Sequence, residues 1–175
     1  MLIDLNEVLK NDGKTMHAEV PFTMDSYSNG SGTYPIVSNQ PVSLLISNKG
    51  NKELQITGSV KVVLTVPCDR CLEDVQVSLE LEIDREVDMN QTEEERRETL
   101  DEQFYIEGYN LDVDKLVCSE ILVSWPSKVL CKEDCKGLCN TCGTNLNLKT
   151  CDCEPTDLDP RMAQIQEIFS KFKEV

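Results

Sequence analysis

The sequence predicts an α+β fold: a strongly bent antiparallel β-sheet or partial barrel, two main helices, and a C-terminal Cys-rich module resembling a zinc ribbon. Three observations lead there. Apolar and polar residues alternate with period two through most of the first 90 residues, the spacing of strands with one wet face. Two segments, after Asp112 and after Asp159, carry apolar residues at helical spacing. Six of the nine Cys crowd into residues 131–153, where few large apolar residues remain to build a core.

In chain order, Met16, Ala18, Val20, Phe22 and Met24 alternate with polar residues and predict a first strand. Residues 25–33 are rich in Ser, Asn and Gly and read as turn. Val42, Leu44 and Ile46 predict a second strand ending near Asn48 and Gly50. From Leu54, the apolar residues Ile56, Val60, Val62, Leu64 and Val66 predict a long third strand, interrupted at Gly58 by a bulge or a close approach. Val75, Val77, Leu79, Leu81, Ile83 and Val87 predict a fourth, whose other face carries Gln76, Ser78, Glu80, Glu82, Asp84 and Glu86. The two long strands form an antiparallel hairpin joined through Cys68 and Cys71.

Residues 88–103 hold seven acids and two Arg and read as a solvated connector, with a short strand following around Phe104–Ile106. Asp112 is a natural N-cap for a well-buried helix with Val113, Leu116, Val117, Glu120 and Ile121 on one stripe, Cys118, Leu122 and Trp125 round its side, and its stop at Pro126. Asp159 and Pro160 open an amphipathic C-terminal helix, with Ile165, Ile168, Phe169 and Phe172 as its apolar face. The expected division is a sheet-plus-helix domain over 1–130, a Cys-rich module over 131–155, and a C-terminal helix over 156–175 packing on the main domain.

A chain of 175 residues buries roughly 70% of its unfolded surface, so it needs no covalent staples. The nine Cys therefore call for another role. No long apolar run is present, and Asp4 and Glu7 stand where a signal peptide would be basic and then apolar; the expected location is the cytoplasm. In that reducing compartment, closely spaced Cys are metal ligands or redox thiols rather than disulfides.

Cys139, Cys142, Cys151 and Cys153 form the stronger metal-binding set, because a Cys-x-x-Cys turn offers two thiolates from one loop and Gly143 lets the chain fold back beneath them. Setting aside Cys118 as a small core residue leaves Cys68, Cys71, Cys131 and Cys135, a second possible set of four. Two readings stay open: these four hold a second zinc ion, or the Cys68–Cys71 thiols are empty or oxidised while Cys131 and Cys135 belong to a different grouping. One zinc ion, or two, is the expected cofactor.

The charge of −15 comes from 32 acids against 17 basic residues. It disfavours DNA, RNA backbone and anionic membrane as main partners and favours a basic one. Filling two four-thiolate sites with zinc would take the charge to roughly −19 (−15 −4). Zinc knuckles do bind single-stranded RNA. Here, however, residues 131–154 offer three Lys against four acids and no aromatic ring for stacking, so direct RNA contact would be weak. His17, the sole histidine, lies on the wet face of a strand, and no Gly-rich phosphate loop occurs. A redox Cys-x-x-Cys usually opens a helix, whereas Cys68 and Cys71 are flanked by strands. No catalytic residue is nominated.

Cys68-x-Arg70-Cys71-Leu72 between long strands is followed far downstream by Cys-Lys-Gly-Leu-Cys-x-x-Cys-Gly-Thr-Asn-Leu-Asn (residues 135–147), Cys-Asp-Cys (151–153) and Asp-Pro-Arg (159–161). In these motifs, and from Ile3-Asp4-Leu5 onward, the chain resembles the bacterial YceD family, named for large ribosomal RNA subunit accumulation. The resemblance implies a non-enzymatic role in the accumulation of large-subunit ribosomal RNA; joined to the charge of −15, it makes a basic large-subunit ribosomal protein or a pre-ribosomal particle the expected partner. The acidic face of the Val75–Val87 strand and the 88–103 segment, with Glu80, Glu82, Glu94 and Glu95 among their acids, are the expected contact surface. The competing expectations are a direct RNA-binding zinc protein and, third, a thiol oxidoreductase.

Overall fold

A computed structural model describes residues 1–92, 95 and 103–153, with only the backbone of Asn39. In chain order the elements are β1 (Leu2–Asp4), α1 (Asn6–Leu9), β2 (Thr15–Val20), β3 (Ser26–Asn29), β4 (Gly32–Asn39), β5 (Val42–Gly50), β6 (Glu53–Pro67), β7 (Asp74–Asp88), β8 (Ile106–Glu107), β9 (Asn110–Asp112) and α2 (Val113–Val123). They form two antiparallel sheets. One has the order β1-β9-β8; the other runs β2-β5-β6-β4-β3, with β7 on the remaining side of β6.

The long strand β6 organises the larger sheet. Its residues Ser59 to Glu53 pair with β5, while Leu64 to Val62 pair with β4. On its other edge, Lys61 reaches Glu80 at 3.0 Å and Gln55 reaches Asp84 at 3.2 Å, the opposite-running contacts of a hairpin. Apart from half-buried Gly58, every second residue of β6 from Leu54 is buried: Leu54, Ile56, Val60, Val62, Leu64 and Val66. Leu79, Leu81, Ile83 and Val87 of β7 continue that layer, leaving Gln76, Ser78, Glu80, Glu82, Asp84 and Glu86 exposed. The irregular spot at Gly58 is a close approach, not a bulge. A Cβ there would stand 2.2 Å from the Ser43 carbonyl oxygen, and its pairing with Leu44 is in register.

α2 begins where Asp112 accepts hydrogen bonds from the amides of Asp114 and Lys115, an N-cap with both donors satisfied. Eleven residues are too few for an isolated helix to be stable in water, so tertiary burial decides. Val113, Leu116, Val117 and Ile121 are fully buried, each contributing about 1.5–3 kcal/mol. The helix turns one face only: Leu122 and Val123 are exposed, and it ends three residues before Pro126. Trp125 lies beyond it against Tyr27 and Tyr34, with ring centroids 5.5 and 4.8 Å away.

The expected α+β class with two main helices and a near-barrel is corrected by this architecture. Antiparallel strand dominates, the sheets are open, and the described helices span four and eleven residues. Residues 25–33, expected as turn, supply β3 and the start of β4, a hairpin closed where Asn29 accepts from the amides of Ser31 and Gly32. The first strand stops at Val20, before Pro21, which has no amide hydrogen for a ladder. The expected helix after Asp159, Glu94, and most of the connector over 88–103 lie outside the described residues.

Two compact units are present. One comprises Met1–Val66 with Asp74–Val129; the other joins Pro67–Glu73 to the chain from Leu130, described to residue 153. Among the described residues, no helix is long and apolar enough to cross a membrane.

Candidate metal centres

Pro67–Glu73, between β6 and β7, and residues 130–153 bring eight Cys into two groups of four. Cys68, Cys71, Cys131 and Cys135 make the first; Cys139, Cys142, Cys151 and Cys153 make the second. Within each group the sulfurs all lie within 4.8 Å of one another. Four sulfurs bound at 2.3 Å around one tetrahedral ion would stand about 3.8 Å apart. The Cys68–Cys135 and Cys71–Cys131 separations are 3.8 and 3.5 Å. That spacing suits a single ion; a multi-iron cluster, whose thiolates sit on different irons, needs a wider cage.

The two Cys-x-x-Cys turns are built alike. The amide of Cys68 donates to the carbonyl of Glu73 at 2.8 Å, and that of Leu72 to the carbonyl of Cys68 at 3.0 Å. In the second turn Cys139 donates to Thr144 at 2.9 Å, and Gly143 to Cys139 at 2.9 Å. The residue after the second Cys is left-handed in both, with φ 61° at Leu72 and 72° at Gly143. Glycine adopts that conformation without strain. Leucine adopts it at a cost of about 1–2 kcal/mol, which the surrounding contacts must offset.

Residues 135–147 tie the groups together. The Arg70 guanidinium donates to the Cys135 carbonyl at 2.7 Å, and the Leu138 amide donates to the Arg70 carbonyl at 3.2 Å. Gly137 lies so close beneath this contact that a Cβ would meet the Arg70 carbonyl at 3.0 Å, and its φ of 78° is itself left-handed. Leu138 then bridges to Asn145, closing the second turn at its base. Asn145 donates to the Glu73 carboxylate at 3.0 Å, and Asn147 donates through Nδ2 to the sulfur of Cys135 at 3.3 Å. Such outer contacts orient a ligand and favour its thiolate. Arg70, Asn145 and Asn147 were not nominated from spacing, which marks metal ligands but is silent on what supports them.

The thiols differ in proton affinity. Burial pushes Cys68 up, but the amides of Arg70, Cys131 and Cys71 point at its sulfur and bring it down to about 6. Cys131 is pushed up to about 12, by burial first and then by the neighbouring sulfurs. In the second group the amides of Cys142 and Thr141 lower Cys139 to about 6. Hydrogen bonding with Cys142, then burial, pushes Cys153 up to about 12. Each group thus pairs a thiol of lowered proton affinity with a neighbour of raised affinity, because sulfurs this close disfavour a second negative charge.

Cys118 stands apart on α2, its sulfur 3.3 Å from that of Met24. His17 is exposed on β2. No helix follows Cys71, because β7 begins three residues on, so the dipole that activates redox Cys-x-x-Cys pairs is absent there. Thr92 and Glu95 exchange hydrogen bonds of 2.8 and 3.2 Å between the side chain of one and the amide of the other, a capping-box pattern.

Sheet and sulfur groups together define an acidic, strand-built protein carrying a double four-cysteine module able to hold metal. The chain belongs to the YceD family: the family model described as "Large ribosomal RNA subunit accumulation protein YceD" matches residues 56–169, from β6 through all eight clustered Cys. It is also 26% identical over 152 residues to "Large ribosomal RNA subunit accumulation protein YCED homolog 1, chloroplastic" of Arabidopsis thaliana, covering 72% of this chain and 47% of that one. The chain therefore spans about half the length of this curated relative. No solved structure matches.

Proposed function

We propose that the protein is a non-enzymatic ribosome-assembly factor of the cytoplasm that supports accumulation of large-subunit ribosomal RNA by binding a basic ribosomal protein on its acidic surface. Two zinc ions, one in each four-cysteine group, hold the module over 131–155 together, while the sheet-and-helix part over 1–130 carries the contact face. Zinc suits both groups because all-thiolate tetrahedral sites are closed, leaving no position for a reacting water.

One observation supports the binding reading most: the exposed row Glu80, Glu82, Asp84 and Glu86, set at period two along β7. Lys61 neutralises only part of it, through Glu80. Such a row attracts a basic partner over about a Debye length, near 8 Å at physiological salt, raising the on-rate and keeping the partner from premature contact with RNA.

The test is crosslinking in cells, read by both mass spectrometry and sequencing, for the native chain and for one carrying Glu80→Gln, Glu82→Gln, Asp84→Asn and Glu86→Gln. A basic ribosomal protein captured by the native chain and depleted from the variant is the expected result. Recovery of ribosomal RNA fragments without any ribosomal protein, bound equally by both chains, would replace this reading with direct RNA binding.

A further inference from the structure

The two four-cysteine groups have the same ligands but different surroundings. In the first, Cys68, Cys71 and Cys135 are 0%, 4% and 2% exposed. Asn147 donates to one of its sulfurs, and Arg70 locks the carbonyl of the same residue. In the second, no cysteine is buried and Cys142 is exposed. Two of its four sulfurs come from Cys151 and Cys153, on a segment with neither strand nor helix.

We propose that the second group is an exchangeable, oxidant-sensitive zinc site while the first retains its ion. The proposal rests on the zinc reading above and adds a regulatory property to it. Ligand exchange at a thiolate-bound zinc begins with attack on the metal or on a sulfur, so the group that solvent reaches is the one that reacts.

With a hydroperoxide as oxidant, two thiolates of the second group give up two electrons and become one disulfide. The O–O bond takes those electrons with two protons, giving two water molecules in the case of hydrogen peroxide. Zinc leaves as the dication, and the two remaining thiolates are freed. A dithiol reductant and zinc restore the site.

The first group survives this opening because the base of the loop does not depend on the second ion. Leu138 bridges to Asn145, the Leu146 amide donates to the Gly137 carbonyl at 2.9 Å, and the Asn147–Cys135 contact lies on the same side of that closure. Loss of the second zinc therefore frees residues 139–144 and 151–153 and leaves residues 68–73 and 131–138 in place.

The test follows zinc release from the full chain to a chromogenic chelator at neutral pH, with thiol alkylation mapped by mass spectrometry at each time point. Two phases are expected, one zinc leaving at least about tenfold faster than the other. Cys139, Cys142, Cys151 and Cys153 should become labelled with the fast phase. One equivalent of hydrogen peroxide should release one zinc with loss of two thiols, reversed by dithiothreitol plus zinc, and Cys142→Ser should abolish the fast phase alone. Release of both ions in a single phase, or fast labelling of Cys68 and Cys71, would overturn the proposal even where two zinc ions are bound. Protein isolated with no zinc would overturn the zinc reading itself and this proposal with it. The labelling map on the native chain decides the matter should the variant fail to fold.

Discussion

Arg85 donates through Nε to Glu120 Oε1 at 2.7 Å, joining β7 to α2. Each residue takes a position in the apolar row of its own element: Arg85 falls between Ile83 and Val87, and Glu120 between Val117 and Ile121. The Glu120 side chain is 7% exposed against 34% for Arg85, so the carboxylate is the group that relies on its partner. Two polar interruptions of two apolar stripes thus satisfy each other inside the sheet–helix contact.

Removing one partner leaves a buried charge unmatched. Arg85→Met should therefore destabilise the protein by about 2–3 kcal/mol, and Arg85→Met with Glu120→Leu should recover much of that loss. Urea unfolding of the two variants is the check. Additive losses in the double variant would show that the pair does not act as one unit.

Cys118 should be the slow-reacting free thiol of the folded chain. Burial first, then the charges of Asp114 and Asp112, push it up to about 11. A raised thiol pKa lowers the thiolate fraction at a given pH, so alkylation near pH 8 should run about a hundredfold slower than for an exposed cysteine. The rate should climb about tenfold per pH unit until it levels near pH 11. Iodoacetamide kinetics with site-resolved mass spectrometry measure this. A rate near that of free cysteine at pH 8 would show Cys118 to be solvent-open.

Cys68→Ser should lower the melting temperature more than Cys153→Ser. Cys68 is fully buried beside Cys135, whose sulfur and carbonyl anchor Asn147 and Arg70, whereas Cys153 lies on an irregular segment. The difference should be several kcal/mol, since a lost ligand removes folding free energy directly. Thermal melts of the two variants at equal zinc give the comparison. Equal shifts would mean that the first group contributes no more than the second.

The fold was readable where burial follows one period. Along β6, in β7 from Leu79 onward and on the Val113–Ile121 stripe of α2 the apolar residues expected inside are found inside, whereas Val75 and Val77 are only half-buried and Leu122 is exposed; Asp112 caps the helix as its position implied. Arithmetic on the cysteines offered, as one of two open readings, the two groups of four whose sulfurs the structure brings together. The misses have local causes. Ser, Asn and Gly in residues 25–33 mark a turn, but the strands on either side of Gly30–Ser31 are anchored by Tyr27 and Tyr34 against Trp125, a contact about 100 residues away in sequence. Helical spacing through Leu122 and Trp125 implied a longer, deeper helix, but nothing in that spacing shows where the covering layer ends. Neither Arg85–Glu120 nor Asn147–Cys135 has a signature of its own, because each depends on two segments meeting.

The most direct test is the metal content of the protein purified without added zinc, taken together with a native mass. Two zinc ions per chain, with eight cysteines protected from alkylation and Cys118 alone labelled on denaturation without chelator, is the predicted result. One zinc, or none, with Cys68 and Cys71 free or joined as a disulfide, would contradict the account.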